Sequence, residues 1–156
     1  LNPSGPQHAQ IGALAGITQY FDNLYRHHFG DSDIGIHQKA VKVFDLVEAH
    51  EANLANHLLD YLKNRDDIRI LGQDHATPGK RASTIAFHAR GMPSQHIAQK
   101  LAEHQIAAGA GDFYALRCVE SLGMDPEDGV VRVSLVQYNT TEEVKRLIQA
   151  LDSILP

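Results

Sequence analysis

The sequence predicts a small two-layer α/β sandwich, a short and largely antiparallel sheet with helices packed on it, preceded by two long helices. Three observations carry that reading. Residues 7–29 and 36–64 repeat apolar side chains at three- and four-residue spacing, the period of an amphipathic helix. After residue 64, short β-rich runs alternate with shorter helical patterns, as in a mixed α/β domain. The last two segments, 130–136 and the stretch after Thr140, are the clearest strand and the clearest helix in the chain.

Taken in order, residues 1–6 hold Pro3, Ser4, Gly5 and Pro6 and read as linker. In the first helix Ile11, Leu14, Ala15, Thr18, Phe21 and Tyr25 form one stripe, while Ile17, Tyr20 and Leu24 form a second on another side. A helix apolar on two sides is normally buried on two sides. In isolation Ile17, Tyr20 and Leu24 are therefore expected to be exposed or covered by a second copy. Residues 30–35 read as a loop. The second helix carries Ala40, Val43, Val47, Leu54, Leu58 and Leu62 on one face, with charged residues opposite. Asp66 and Asp67 close it before the short strand Ile68–Leu71, and a turn-rich loop with Thr77-Pro78-Gly79 follows. Across 82–89, Ile85, Phe87 and Ala89 alternate with Thr84, Ala86 and His88, the two-residue period of a strand. Pro93 opens a helix with Ile97 and Leu101 that runs to Gln105; 106–110 reads as strand and 113–122 as a short helix. In 130–136, Val131, Val133 and Leu135 share one face and Val130, Arg132, Ser134 and Val136 the other. Thr140 and Glu143 have capping-box spacing, Glu142 and Glu143 suit the positive end of the helix dipole, and Val144, Leu147, Ile148 and Leu151 make the final stripe.

Composition narrows the function classes. A chain of 156 residues is long enough to bury a real core, and 43% hydrophobic with 21% charged residues is ordinary for a globular domain. A net charge of −5 runs against a phosphate-binding surface, so nucleic acid is not an expected partner. No apolar run reaches the roughly 20 residues of a membrane-spanning helix, so a membrane is not expected either. The single cysteine, Cys118, leaves no internal disulfide and fits a reducing compartment, which makes a cytoplasmic location the expectation. The chain opens Leu1-Asn2-Pro3 without methionine or a basic leader, as expected of a processed or truncated product of a longer protein.

Several residues invite chemistry. Ten histidines raise metal binding, but His50-Glu51 is followed on its helix by His57 rather than by a histidine four residues on, which spoils a shared zinc geometry. His27 and His28 point to different sides of their helix, so no metal is expected. Cys118 has the positive charge of Arg117 beside it, which could activate a thiol, but on burial tendency alone a buried structural thiol is the simpler reading. Lys80 after Thr77-Pro78-Gly79 faintly matches a serine–x–x–lysine spacing, but a loop lysine is ordinarily solvated. Arg132 is more informative. An arginine in a well-formed strand either faces solvent, the commoner case, or aims its planar fork at an anion such as a carboxylate.

The stretch Gly129-Val130-Val131-Arg132-Val133-Ser134-Leu135-Val136-Gln137-Tyr138-Asn139-Thr140-Thr141-Glu142-Glu143-Val144, continuing through Leu147, shifts that balance. It resembles the closing segment of class V aminotransferases and cysteine desulfurases: an arginine, a few small or apolar residues, Tyr-Asn-Thr, then Glu-Glu before a terminal helix. Residues 82–87, the helix to Gln105 and 106–111 follow that family's order, and Ile11-Gly12-Ala13-Leu14 resembles the segment leading out of its large domain. The resemblance implies the C-terminal domain of a fold type I pyridoxal-phosphate enzyme, homodimeric and acting on a small amino acid. Residues 1–35 would be the linker and helix leading out of a large domain absent from this sequence, and 36–156 the small domain.

By the same resemblance Arg132 anchors the substrate α-carboxylate, Asp112 and Tyr114 lie near the cleft, and Asn2 lies near the cofactor phosphate. The Schiff-base lysine, the aspartate beneath the pyridine nitrogen and the stacking histidine belong to the family's large domain. None of the six lysines here (Lys39, Lys42, Lys63, Lys80, Lys100, Lys145) falls where the family places its own. Pyridoxal 5'-phosphate is thus expected in the full-length enzyme and not on this chain alone, which is not catalytic by itself. Cysteine desulfurases place the persulfide-forming cysteine shortly after a glycine matching Gly111. Here Asp112-Phe113-Tyr114-Ala115 stand in that stretch and Cys118 comes too late, as in a desulfurase-like subgroup whose reaction need not be desulfuration. The alternative is a stand-alone, non-catalytic α/β ligand-binding or regulatory module.

Overall fold

The computed structural model describes residues 5–156. Its elements are α1 (His8–Phe29), α2 (Ile36–Lys63), β1 (Ile68–Leu71), β2 (Thr84–Ala89), α3 (Ser94–Glu103), β3 (Gly109–Gly111), α4 (Leu116–Ser121), β4 (Val130–Ser134) and α5 (Thr141–Ile154). The chain forms two compact units, one ending at Val47 and the other Glu48–Pro156, so the division falls inside α2.

In the first unit α1 ends at Gly30, whose φ of 77° suits glycine and whose N–H donates to Arg26 O. Tyr25 is buried, with its hydroxyl 2.9 Å from Ser32 Oγ. Lys39 Nζ donates to Asp22 Oδ1 at 2.6 Å, and Phe21 packs on Phe44 with ring centroids 5.1 Å apart. The rest of α1 offers apolar surface to solvent: Ile11, Leu14, Ile17 and Tyr20 are 44–57% exposed and Leu24 is half-buried. Ile17 and Tyr20 of the second stripe lie open as expected while Leu24 is half-covered, and part of the first stripe lies open with them.

In the second unit four antiparallel strands run in the order β1-β2-β4-β3. Register places Ile70 beside Phe87 and Phe87 beside Val131, with Ile85 beside Val133, so these side chains share one face. Against that face pack Leu54, Leu58, Leu59 and Leu62 of α2, Ile97 and Leu101 of α3, and Val144, Leu147 and Leu151 of α5. Those four leucines of α2, with Ile85, Phe87, Ile97, Leu101, Val131 and Leu151, are completely buried. Truncating any of the leucines to alanine would cost about 2–5 kcal/mol, the sum of lost transfer energy and a cavity.

Element boundaries depart from the sequence reading where local hydrogen bonds compete. Ile106 belongs to the turn that closes α3 rather than to a strand: Gln105 adopts φ 59°, its N–H donates to Ala102 O at 2.9 Å, and Ile106 N–H donates to Leu101 O at 2.9 Å. That pair of bonds is a Schellman closure, so β3 starts only at Gly109. β4 stops at Ser134, and Val136 N–H is instead taken by Asn139 Oδ1 at 2.9 Å. α5 has both bonds of its capping box, Glu143 N–H to Thr140 Oγ1 at 3.2 Å and Thr140 N–H to Glu143 Oε2 at 2.8 Å.

Candidate functional site

The sheet has a second face, and Arg132 stands on it. Register sets Ala86 and Gly109 on either side of Arg132, Thr84 beside Ser134, and Gly111 beside Val130. Two residues along, Arg69 pairs with His88 on the same face. A small cluster covers part of this surface: Val119, Met124 and Val130, with Leu71, Ala86 and Phe113 against them. Arg132 is exposed, with its guanidinium carbon 3.8 Å from the centroid of the Phe113 ring. Among the described residues it has no hydrogen bond or ion pair, so its N–H edges are open while one flat face is covered.

The segment after Gly111 sets Phe113 in place. Phe113 and Tyr114 both adopt left-handed backbone, φ 51° and 60°, a conformation uncommon outside glycine. Asp112 holds the turn, its Oδ1 accepting from Tyr114 N–H at 3.2 Å and its carbonyl from Ala115 N–H at 2.9 Å. The Phe113 ring lies over Gly109, where a Cβ would come within 2.9 Å of it. Gly129, at φ 65°, meets Gly111 so closely that a Cβ would stand 2.2 Å from the Gly111 carbonyl carbon. Tyr114 projects fully into solvent. Arg132, Asp112 and Tyr114 thus come to one end of the outer face, while Asn2 lies outside the described residues.

Beside this end, His88 Nε2 lies 3.4 Å from Asp128 Oδ2, and Asp128 also accepts from Ser94 N–H at 2.7 Å and Ser94 Oγ at 3.1 Å. Asp128 thereby fixes the start of α3. Sequence reasoning missed both Asp128 and Phe113. Nothing in the spacing pairs residue 128 with residue 94, and only the run Gly111-Asp112-Phe113 pointed near Phe113. Arg81 is bound wholly by carbonyls, those of Gln73, Ala82 and Thr84, and its burial lowers the guanidinium pKa.

Cys118 corrects an expectation: it is exposed, not buried, because Val119 is the α4 residue turned inward. Among the described residues no group of three or more histidine, cysteine, aspartate or glutamate side chains could hold a metal ion. No lysine occupies a strand. Lys39, Lys63 and Lys100 are ion-paired to Asp22, Asp60 and Glu103, Lys42 lies over the Tyr25 and Phe29 rings, and Lys80 and Lys145 are exposed. Beside Arg132 stand Ala86, Gly109 and the Phe113 ring, which leave its N–H edges open.

The helix-covered antiparallel sheet is a fold shared with known enzymes. The structure superposes on the cysteine desulfurase CsdA of Escherichia coli with a TM-score of 0.70 at 24% identity, covering 99% of this chain and 32% of that one. The architecture is that of a segment of a fold type I pyridoxal-phosphate enzyme. The sequence pattern of the aminotransferase class-V family matches residues 39–147, and the chain belongs to that family. It is 37% identical over 116 residues to the aminotransferase-like protein FGM3 of Gibberella zeae, covering 73% of this chain and 29% of that protein. It is also 37% identical over 106 residues to a probable cysteine desulfurase of Pseudomonas putida, covering 68% and 24%. The chain thus spans less than a third of the length of these relatives.

Proposed function

We propose that this chain forms the substrate-carboxylate wall of a pyridoxal-phosphate-dependent class V enzyme acting on a small amino acid, and that the cofactor's seat lies in residues outside this sequence. The observation that carries the reading is Arg132: a strand-borne guanidinium stacked on Phe113, with no hydrogen-bond or ion-pair partner among the described residues, beside a turn held in left-handed backbone. A bound cofactor would supply the electron sink. What this chain supplies is orientation, since a bidentate fork holds a carboxylate by both oxygens and leaves the substrate's amine and side chain free. The absence of a thiol from residues 111–115 favours a reaction that does not pass sulfur through an enzyme cysteine. A homodimeric assembly and a cytoplasmic location belong to the same proposal.

The test is Arg132→Ala in the longer protein. Losing a charge-assisted bidentate contact should cost about 2–4 kcal/mol in transition-state binding, read as kcat/KM. Arg132→Lys should rescue only part of it, since a point charge lacks the planar fork. Cofactor absorbance should stay near that of the parent protein. Unchanged kinetics with every amino acid the enzyme turns over would leave Arg132 as ordinary surface.

A further inference from the structure

We infer that Phe113 is the positioning residue for Arg132, holding the guanidinium by its flat face so that the N–H edges stay open for the substrate carboxylate; this rests on the carboxylate role proposed above. Three independent features converge on it. The ring centroid lies 3.8 Å from the guanidinium carbon, a stacking distance, and no acid or carbonyl competes for the arginine among the described residues. Phe113 reaches that place only through left-handed backbone at residues 113 and 114, a conformation that costs free energy and that the Asp112 turn sustains. On the β3 side the strand neighbour of Arg132 is Gly109, and any Cβ there would strike the ring.

An arginine on an open sheet face otherwise samples many rotamers, each of which must be given up on binding. Salt-bridging it to a carboxylate of the protein would fix it too, but would occupy the donors a substrate needs. A ring fixes it without using a donor. Asp112, the acid next to Phe113 in sequence, spends its side chain on the Tyr114 N–H instead.

Two measurements test this. On the present chain, side-chain nitrogen–proton NMR should find the Arg132 Nε–H and Cδ protons shifted upfield by the ring. Phe113→Leu and Gly109→Ala should both return them to the range of the other exposed arginines, and Phe113→Tyr should keep them shifted. Two routes to the same displacement guard against one variant failing to fold. In the longer holoenzyme, binding of L-alanine and of ethylamine, which lacks only the carboxylate, is followed by cofactor absorbance. The parent should prefer L-alanine by about 30-fold, the value of a charge-assisted hydrogen-bond pair. Arg132→Ala should abolish the preference. Phe113→Leu should reduce it about fivefold, with Phe113→Tyr near the parent. If Arg132→Ala keeps the preference, the carboxylate reading falls and the inference with it. If Arg132→Ala abolishes it while Phe113→Leu leaves either the resonances or the preference unchanged, the inference alone is overturned.

Discussion

Gly129 and Gly111 meet backbone to backbone at the site where β3 and β4 pair. An alanine at 129 would carry two penalties at once. Its φ of 65° places a Cβ in the left-handed region, and that Cβ would lie 2.2 Å from a carbonyl carbon that cannot swing aside. Gly129→Ala is expected to destabilise the chain by about 3 kcal/mol or more, read from urea unfolding. A cost below 1 kcal/mol would show that the ladder can part there. At this scale sequence reading was uneven. The alternation of 130–136 placed Arg132 on the face away from Val131 and Val133, where it is found. Phe113 could not be read, because left-handed backbone at a non-glycine residue leaves no mark in hydrophobic periodicity. Cys118 was misjudged because burial tendencies of cysteine say nothing about which side of a six-residue helix faces inward.

Among the elements, α5 shows how local chemistry fixes a boundary. Glu143 accepts the Thr140 backbone N–H and is approached by the Asn139 side chain, and the first of these most strongly lowers its carboxyl pKa. A carboxylate whose folded pKa is depressed adds stability above its ordinary titration range and loses it as pH falls through the lowered folded value. Acidification through and below the usual glutamate range should therefore weaken the chain, and Glu143→Gln should blunt that dependence. Thr140→Ala should cost about 1 kcal/mol at neutral pH, the usual value of an N-cap. Paired pH and thermal melts check both, and an acid profile unaltered in Glu143→Gln would deny the box its role. This element was legible because Thr-x-x-Glu before an apolar stripe specifies its own start. β3 was legible only in part: its start was placed too early, because the closing turn of α3 takes the Ile106 N–H that a strand there would have needed.

For the whole molecule, the division into two units has consequences for each. Among the described residues, the unit Glu48–Pro156 contains every strand and the large core cluster. The unit ending at Val47 buries Tyr25 and Val43 but leaves Ile11, Leu14, Ile17, Tyr20, Val41, Phe44 and Leu46 substantially exposed. Apolar area on that scale is seldom left to water, so the isolated chain should self-associate, and light scattering at rising concentration should show it. Ile17→Ser and Leu14→Ser together should lower the association; a strictly monomeric parent would refute the expectation. Mixed with pyridoxal phosphate and reduced with borohydride, the chain should show only scattered, substoichiometric lysine labelling, and peptide mass mapping that found one fully modified lysine would overturn the proposed division of labour. The two-sided apolar pattern of α1 was visible in sequence; what would cover it was not, because a stripe specifies burial and not a partner.

The contact between Gly111 and Gly129 also makes the stretch between them a cassette. Residues 112–128 leave the sheet and return to it at two points that already touch, so their ends are joined by the sheet and not by their own content. Lengthening such an insert adds closure cost only slowly, about 0.6 kcal/mol for each doubling. Within this stretch the residues after Gly111 could be lengthened or exchanged, carrying a different aromatic, acid or thiol to the side of Arg132, provided Val119, Met124 and Asp128 are kept, since they cover the sheet and fix the start of α3.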